Sequence, residues 1–433
     1  MIVFLIIGAA LFGITLIYKP GYIAVLLFTM IIADINIEMS ALPLNVRAII
    51  SLALFARIIA DSVIKNTPSF FSNRLSLLIF LYLVYTLLIS VPYNLFTIEL
   101  LKISLISLLS AFCGYYFYWK EGDYNLLKQS IILSGLICFA DLVYTYKVYG
   151  GFPVRRIYSA YIGTLVESNW NFFGYICGIA FVFILNDFVY GKLKYKITIL
   201  IMPVMLLGVL MSTSRSALLG VLVITIGLGW STMRSREHIS KFLNLILIGL
   251  FSFFIILSLF NGLKNNFNLS SSFSDKIMSR IIDEPVAVIN KNLGYEYNAS
   301  ALGAMNWREE ASGNAFHAFL NLTPLEQICG IGIGGFLYRN LGYGLNPHNG
   351  YLLILFETGL IGFLLYSILI VSLAVQTKQA ANHSSILSSI FFVLVYCIGQ
   401  NGEMTSTLIF LFIGTLMAQN KFDYYKTEIL KIK

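Results

Sequence analysis

An all-α polytopic membrane protein is the fold class this sequence predicts, and three observations lead there. Hydrophobic residues fill 58% of the 433 positions and charged residues only 12%, too little charge to cover a water-soluble chain of this size. Apolar runs of roughly 16–22 residues recur from end to end, each long enough to cross about 30 Å of hydrocarbon. Lysine and arginine gather in alternate short loops, the distribution that orients helices in a bilayer.

The first run, "MIVFLIIGAALFGITLIY", stops at Lys19-Pro20. It has no basic leading region and no small-residue cleavage site, so it is expected to remain as a span over 2–18 rather than act as a signal peptide. Pro20 opens a second span, 20–36. Apolar runs between basic loops then place spans at 44–62, 75–93, 99–118, 126–147, 169–189, 195–212, 215–232 and 241–260. The last three are 349–372, 384–399 and 405–419. That makes about 13 transmembrane helices (roughly 12–14) by span length. The loops with Lys65/Arg74, Lys120/Lys128, Lys192/Lys194/Lys196, Arg234/Arg236/Lys241 and Lys378 are assigned to the cytoplasm. The tail, with Lys421, Lys426, Lys431 and Lys433, falls on the same side. Segments 36–43, 148–168 and 261–348 then face outward. A long loop is exempt from the charge rule, so its own basic residues do not oppose this. The expected organisation is N-terminal transmembrane helices over 1–260, one long outer loop over 261–348, and C-terminal helices with a cytoplasmic tail over 349–433.

The net charge of +8 does not indicate nucleic acid as a partner, because the cations sit mostly in short inter-helix loops. The five cysteines (Cys113, Cys138, Cys177, Cys329, Cys397) are scattered, and no C-x-x-C or H-x-x-H pair occurs. Neither a disulfide framework nor a zinc site is indicated. "GIGIGG" at 330–335 lacks the strand-to-helix context of a dinucleotide loop and is expected to be a flexible outer turn.

Arg215, in "LLGVLMSTSRSALLGVLV", lies at the outer end of a hairpin between two apolar spans. A charge at membrane depth needs an anionic partner, unless the side chain simply snorkels to lipid phosphates. Ser212, Thr213, Ser214 and Ser216 around it offer hydroxyls, and the following helix offers its first N–H groups, a setting suited to a phosphate. In the long loop, Arg308 in "NWREEA" and Arg280 in "KIMSRIID" are candidates for the same task, since guanidinium binds phosphate oxygens bidentately. Arg155 and Arg156, in "GGFPVRRIYSAY", add to that field. Trp307, Phe316, Phe319 and Leu320 recur at helical spacing, so part of this loop is expected to fold onto the membrane surface. His348, one of four histidines, stands at the outer boundary, where a neutral imidazole can take a proton from a hydroxyl. Its neighbours Asn346, Pro347 and Asn349 suit a helix start, which explains them without requiring a histidine. Glu357, nine residues on, turns to the opposite helix face and is expected to be a structural tie, with Gly359 and Gly362 allowing close helix approach.

An "SR" between two spans, then a long outer loop containing "WREEA…LEQICGIGIGGF", then "HNGYLLILFETGLIGFLLY", resembles the superfamily of bacterial O-antigen polymerases and O-antigen ligases (Wzy/WaaL). The resemblance covers roughly 165–370. "ESNWNFFGY" stands where the family carries an Asp-Pro-Asn element; that element is degenerate here and no role is carried over to it. The resemblance implies a GT-C-like membrane glycosyltransferase that is metal-independent and uses no cofactor. Its site would face the periplasm, in a bacterial inner membrane, and its donor would be an oligosaccharide on undecaprenyl pyrophosphate. A chain-length regulator and a flippase are implied as partners beside the bilayer. By position, Arg215 and Arg308 would neutralise the pyrophosphate, with Arg280, Arg155, Arg156, Ser214 and Asn349 helping to hold substrate, and His348 would activate or orient the acceptor hydroxyl. A polymerase, which extends another lipid-linked chain, is preferred to a ligase, which transfers to lipid A core. A lipid-linked oligosaccharide flippase would instead need charged or broken helices lining a path at mid-bilayer, for which Asp141 and Glu357 are the deep candidates.

Overall fold

The computed structural model describes residues 12–33, 46–65, 70, 74–93, 98–149, 170–190, 195–212, 214–233, 239–240, 242–244, 247, 283–295, 303–339, 341, 347–379, 385–400 and 407–432. The regular elements among them are helical: α1 (Phe12–Tyr18), α2 (Pro20–Ile32), α3 (Val46–Lys65), α4 (Arg74–Ser90), α5 (Ile98–Glu121), α6 (Asn125–Tyr149), α7 (Trp170–Val189), α8 (Tyr195–Met211) and α9 (Arg215–Thr232). In the long loop come α10 (Glu284–Leu293), α11 (Gly303–Leu320), α12 (Pro324–Cys329) and α13 (Gly335–Tyr338), and after it α14 (Gly350–Gln379), α15 (Ser385–Tyr396) and α16 (Thr407–Ile432). The expected span 241–260 lies mostly outside the described residues.

Four stretches are long and apolar enough to cross a membrane alone: Asn125–Tyr144, Asn171–Val189, Arg215–Thr232 and Gly350–Thr377. The first two expected spans meet at Lys19 with a 114° bend, so α1 and α2 make a fifth crossing if together they form one broken span. Pro20 is the first residue of α2, where its missing N–H costs nothing. The shorter apolar helices Arg74–Ser90, Leu200–Met211, Ser385–Tyr396 and Thr407–Phe422 fall on four further expected spans. The chain is membrane-embedded and all-helical in its described parts.

Two compact units interleave along the sequence. One comprises Met1–Ile131, Asn314–Leu387 and Asn401–Lys433; the other comprises Ile132–Gly313 and Ser388–Gln400. In the first unit α5 and α16 lie backbone against backbone. A Cβ at Gly414 would strike the Ala111 carbonyl, and one at Gly114 would meet Thr415 and the Leu411 carbonyl. Helices in lipid gain no hydrophobic drive from one another, so close approach through small residues supplies their van der Waals contact. The hydroxyls at this seam turn back on their own helices, Ser110 Oγ to Ile106 O at 2.6 Å and Thr415 Oγ1 to Leu411 O at 2.9 Å. Buried Asp61 is matched within the same unit by Arg57 at 2.6 Å and by the Tyr116 hydroxyl at 2.7 Å.

The second unit is built around α7, buried from Phe173 to Val189. Phe392 of α15 packs where Gly178 of α7 and Gly220 of α9 leave room for its ring. Tyr175 and Tyr396 stack with centroids 4.7 Å apart, and the Tyr396 hydroxyl donates to Asn171 O at 3.0 Å.

Gly414→Val is expected to lower the thermal midpoint of the detergent-solubilised protein by several degrees, an overpacking cost of about 1–3 kcal/mol. Gly227→Val, with nothing within 4 Å of its Cβ position, should leave the midpoint nearly unchanged, and scanning calorimetry compares the two.

Candidate functional site

Two serines shape the turn between α8 and α9. Ser212 ends α8, its Oγ donating to Val209 O at 2.7 Å and accepting from Ser214 N at 3.2 Å. Ser214 is the N-cap of α9, its Oγ accepting from Ala217 N at 3.4 Å. Both serines are buried over Gly174 of α7, where a Cβ would collide with them. Arg215 is thus the first residue of α9, half-buried, at a helix end whose first turn holds no acidic residue. A helix N-terminus carries about half a positive charge, so a guanidinium there repels the helix that bears it and favours an anion nearby. Ser214, expected to contact substrate, is engaged through its Oγ in capping; Thr213 lies outside the described residues.

His348 precedes α14 and is the described non-glycine residue with positive φ, +49°. Left-handed backbone at a non-glycine residue costs roughly 1–3 kcal/mol and is retained where the surroundings impose it. Asn349 imposes it from one side. Its Oδ1 accepts from Tyr351 N at 3.0 Å and Leu352 N at 3.2 Å, which caps α14, and buried Pro347 lies on the other side. Asn349 therefore sets the helix start, and the imidazole of His348 is left half-buried at its edge.

The long span α14 does not run straight. Gly359 takes φ 62° and ψ −172°, which breaks the helix nine residues after its start. A break strands backbone groups, and the carbonyls before it are met. Ile331 N donates to Phe356 O and Gly332 N to Glu357 O, both at 3.0 Å. The Tyr85 hydroxyl of α4 bridges Cys329 O at 2.7 Å and Thr358 O at 3.1 Å. The Glu357 carboxylate accepts from Gly334 N at 2.8 Å. Glu357 is a structural tie, as expected, but to a loop amide rather than to another helix. "GIGIGG", expected to be a flexible outer turn, is corrected: it is the docked segment that closes the break. A Cβ at Gly330 or at Gly359 would drive into the other's backbone, and Gly330, Gly332 and Gly334 all take positive φ.

Around this joint the loop packs as a cap. Phe319 of α11, Ile331, Phe336 of α13 and Phe356 of α14 form one buried cluster with Ala315; the Phe336 and Phe356 ring centroids are 4.8 Å apart. Of the apolar positions expected at helical spacing, Phe319 turns inward while Phe316 and Leu320 stay exposed. Arg339 closes the cap through Glu326 at 2.7 Å, and Gln327 Nε2 donates to Leu320 O and Leu322 O.

Arg215 and Arg308 belong to one compact unit and His348 and Asn349 to the other. Arg308 falls in the second turn of α11. Arg155, Arg156 and Arg280 lie outside the described residues. Among the described residues no group of three or more His, Cys, Asp or Glu side chains is placed to hold a metal ion. Tyr85 and Ser90, which hold the docked loop, went unnoticed in the sequence; a tyrosine five residues inside an apolar run was the available signal.

These features define an all-helical membrane protein in which a half-helix capped by a packed loop carries a histidine, and a second helix starts on an arginine. Residues 200–367 match the family described as O-antigen ligase, and the match places this stretch in the O-antigen polymerase and ligase superfamily. The members of that family are membrane glycosyltransferase-like enzymes. The matched residues take in Arg215, Arg308, His348 and the break at Gly359. No curated protein matches the chain.

Gly359→Ala should destabilise the protein by more than about 2 kcal/mol, because alanine meets both the positive φ and the clash. Glu357→Leu, which strands the Gly334 amide, should cost about 1–3 kcal/mol, and Glu357→Gln, which keeps an acceptor oxygen, clearly less. Denaturant or thermal unfolding in detergent ranks the three.

Proposed function

We propose that the chain is a surface-polysaccharide polymerase of the bacterial inner membrane, with about 13 spans in a GT-C-like arrangement and its site on the periplasmic face. It transfers a glycan from undecaprenyl pyrophosphate to a sugar hydroxyl on another lipid-linked repeat unit. The observation that carries this reading is Arg215 on the first residue of α9 within the family-matched stretch: a guanidinium at a positive helix end suits an anion. Its anion is the departing pyrophosphate, whose charge grows as the glycosidic bond breaks. Stabilising that charge with a fixed guanidinium and helix N–H groups lowers the barrier without a metal ion. Arg308 shares this task, with Arg280, Arg155, Arg156 and Ser214 contributing to the field that holds the donor. His348 receives or orients the acceptor proton, and Asn349 sets the position of its backbone. A chain-length regulator and a flippase are the partners this reading implies.

A ligase is the second reading, favoured by the printed description of the matched family. It shares the donor and the leaving group and differs in the acceptor, lipid A core. A transporter is less favoured, because the break at Gly359 is met by protein backbone and by Tyr85 rather than left lining a path.

Deletion of the gene and gel analysis of surface polysaccharide separates these readings. A single repeat on lipid A core identifies a polymerase, and lipid-linked polymer with an unmodified core identifies a ligase. Arg215→Ala and His348→Ala, at wild-type protein levels, should abolish long polysaccharide while lipid-linked units accumulate outside; accumulation inside would establish transport instead. Arg215→Lys should restore little, since a point charge does not reproduce bidentate contact.

A further inference from the structure

We propose that the segment Thr323–Gly335 is a re-entrant element that dips into the hydrocarbon of the bilayer beside α4 and α14, with Leu325 and Ile328 facing lipid. The argument begins with depth. The Cys329 carbonyl is bonded to Tyr85, five residues short of the end of α4 at Ser90, or roughly 7–8 Å along the helix. The same turn touches the break at Gly359, nine residues past the start of α14, or about 13–14 Å along its axis. The return is traced by Ile333, whose amide donates to Ser90 Oγ at 3.0 Å, and by Phe336 against Phe356. The chain therefore descends along α12, turns at Cys329–Gly330 and climbs back through "GIGIGG".

Hydrogen bonding supplies the second argument. Irregular backbone in lipid survives only if its polar groups find partners inside the protein. Gly330 N donates to Glu326 O, Ile331 N to Phe356 O, Gly332 N to Glu357 O and Gly335 N to Gly332 O, at 2.7–3.0 Å. Ile333 N donates to Ser90 Oγ and Gly334 N to Glu357 Oε1. Six successive amides are satisfied without water, which a loop in the aqueous phase has no need to achieve.

Third is the distribution of side chains on α12. Its polar residues are consumed at the mouth of the loop, Glu326 by Thr323 and Arg339 and Gln327 by the end of α11. Its apolar ones point out, Leu325 70% and Ile328 46% exposed. Past the break, α14 presents Leu360 and Leu364, and α4 presents Leu81 and Leu88, all exposed. The α12 face thus continues the lipid-facing surface of two apolar helices, which identifies acyl chains as its occupant. The proposal does not depend on which reaction the protein performs.

The test uses full-length protein in permeabilised membrane vesicles, with a hydrophilic maleimide as the probe. Thiolate is the reactive form and is suppressed in hydrocarbon. Leu325→Cys and Ile328→Cys, corrected for the unsubstituted parent, should label about tenfold or more slowly than Asn314→Cys on exposed α11, and at the rate of Leu364→Cys. All four should label alike in SDS. In parallel, the unsubstituted protein irradiated in vesicles containing a phospholipid with a photoactivatable acyl chain should carry lipid adducts on the peptide spanning Leu325–Ile328. Labelling as fast as Asn314→Cys, absence of adducts on that peptide, or its crosslinking to a second copy in place of lipid would each overturn the proposal.

Discussion

In hydrocarbon every backbone N–H and C=O must find a partner within the protein, and the break at Gly359 makes that demand acute. A straight α14 would satisfy itself. A broken one strands the carbonyls of Phe356, Glu357 and Thr358, and only a segment with free amides and no side-chain bulk can reach them. "GIGIGG" provides those amides, and Tyr85 covers the carbonyls the loop does not reach. The rest of the cap follows from this docking. Once Ile331 and Phe336 are seated beside Phe356, α11 has an apolar surface to cover, and Glu326 and Arg339 meet across the loop's mouth.

The same economy explains the two candidate chemical residues. Serine at α9 and asparagine at α14 do the capping, and Arg215 and His348 stand beside those caps. Neither is what its helix would choose: an arginine opposes the dipole, and a histidine at φ +49° is strained. Two departures from local preference thus stand next to well-made caps.

Much of this was legible in the sequence. Helices α2 to α9 and α14 to α16 follow the apolar runs, because length and hydrophobicity alone decide them. Asn349 as a cap, Glu357 as a tie and the close approach at Gly362, whose Cβ position meets Tyr85, were readable from residue type and spacing. The destination of the tie was not. Periodicity reports which face a residue occupies only while the helix continues, and Gly359 ends it. Likewise "GIGIGG" carries no local sign that separates a loose turn from one docked on a distant helix, because its partners Tyr85 and Ser90 lie more than 240 residues away.

The break also bears on the choice between catalysis and transport. Transporters use interrupted helices to expose unpaired carbonyls and amides to a moving solute, so the interruption must leave groups unsatisfied. In α14 the carbonyls of Phe356, Glu357 and Thr358 are all taken up by neighbouring backbone or by Tyr85. What the break leaves at its upper end is a nine-residue half-helix, Gly350–Thr358, fastened to a cap and preceded by His348. A half-helix fastened in this way is of little use to a passing solute, but acid–base chemistry on a bound hydroxyl depends on holding its partner within hydrogen-bond reach. The sealed interruption therefore favours the enzyme.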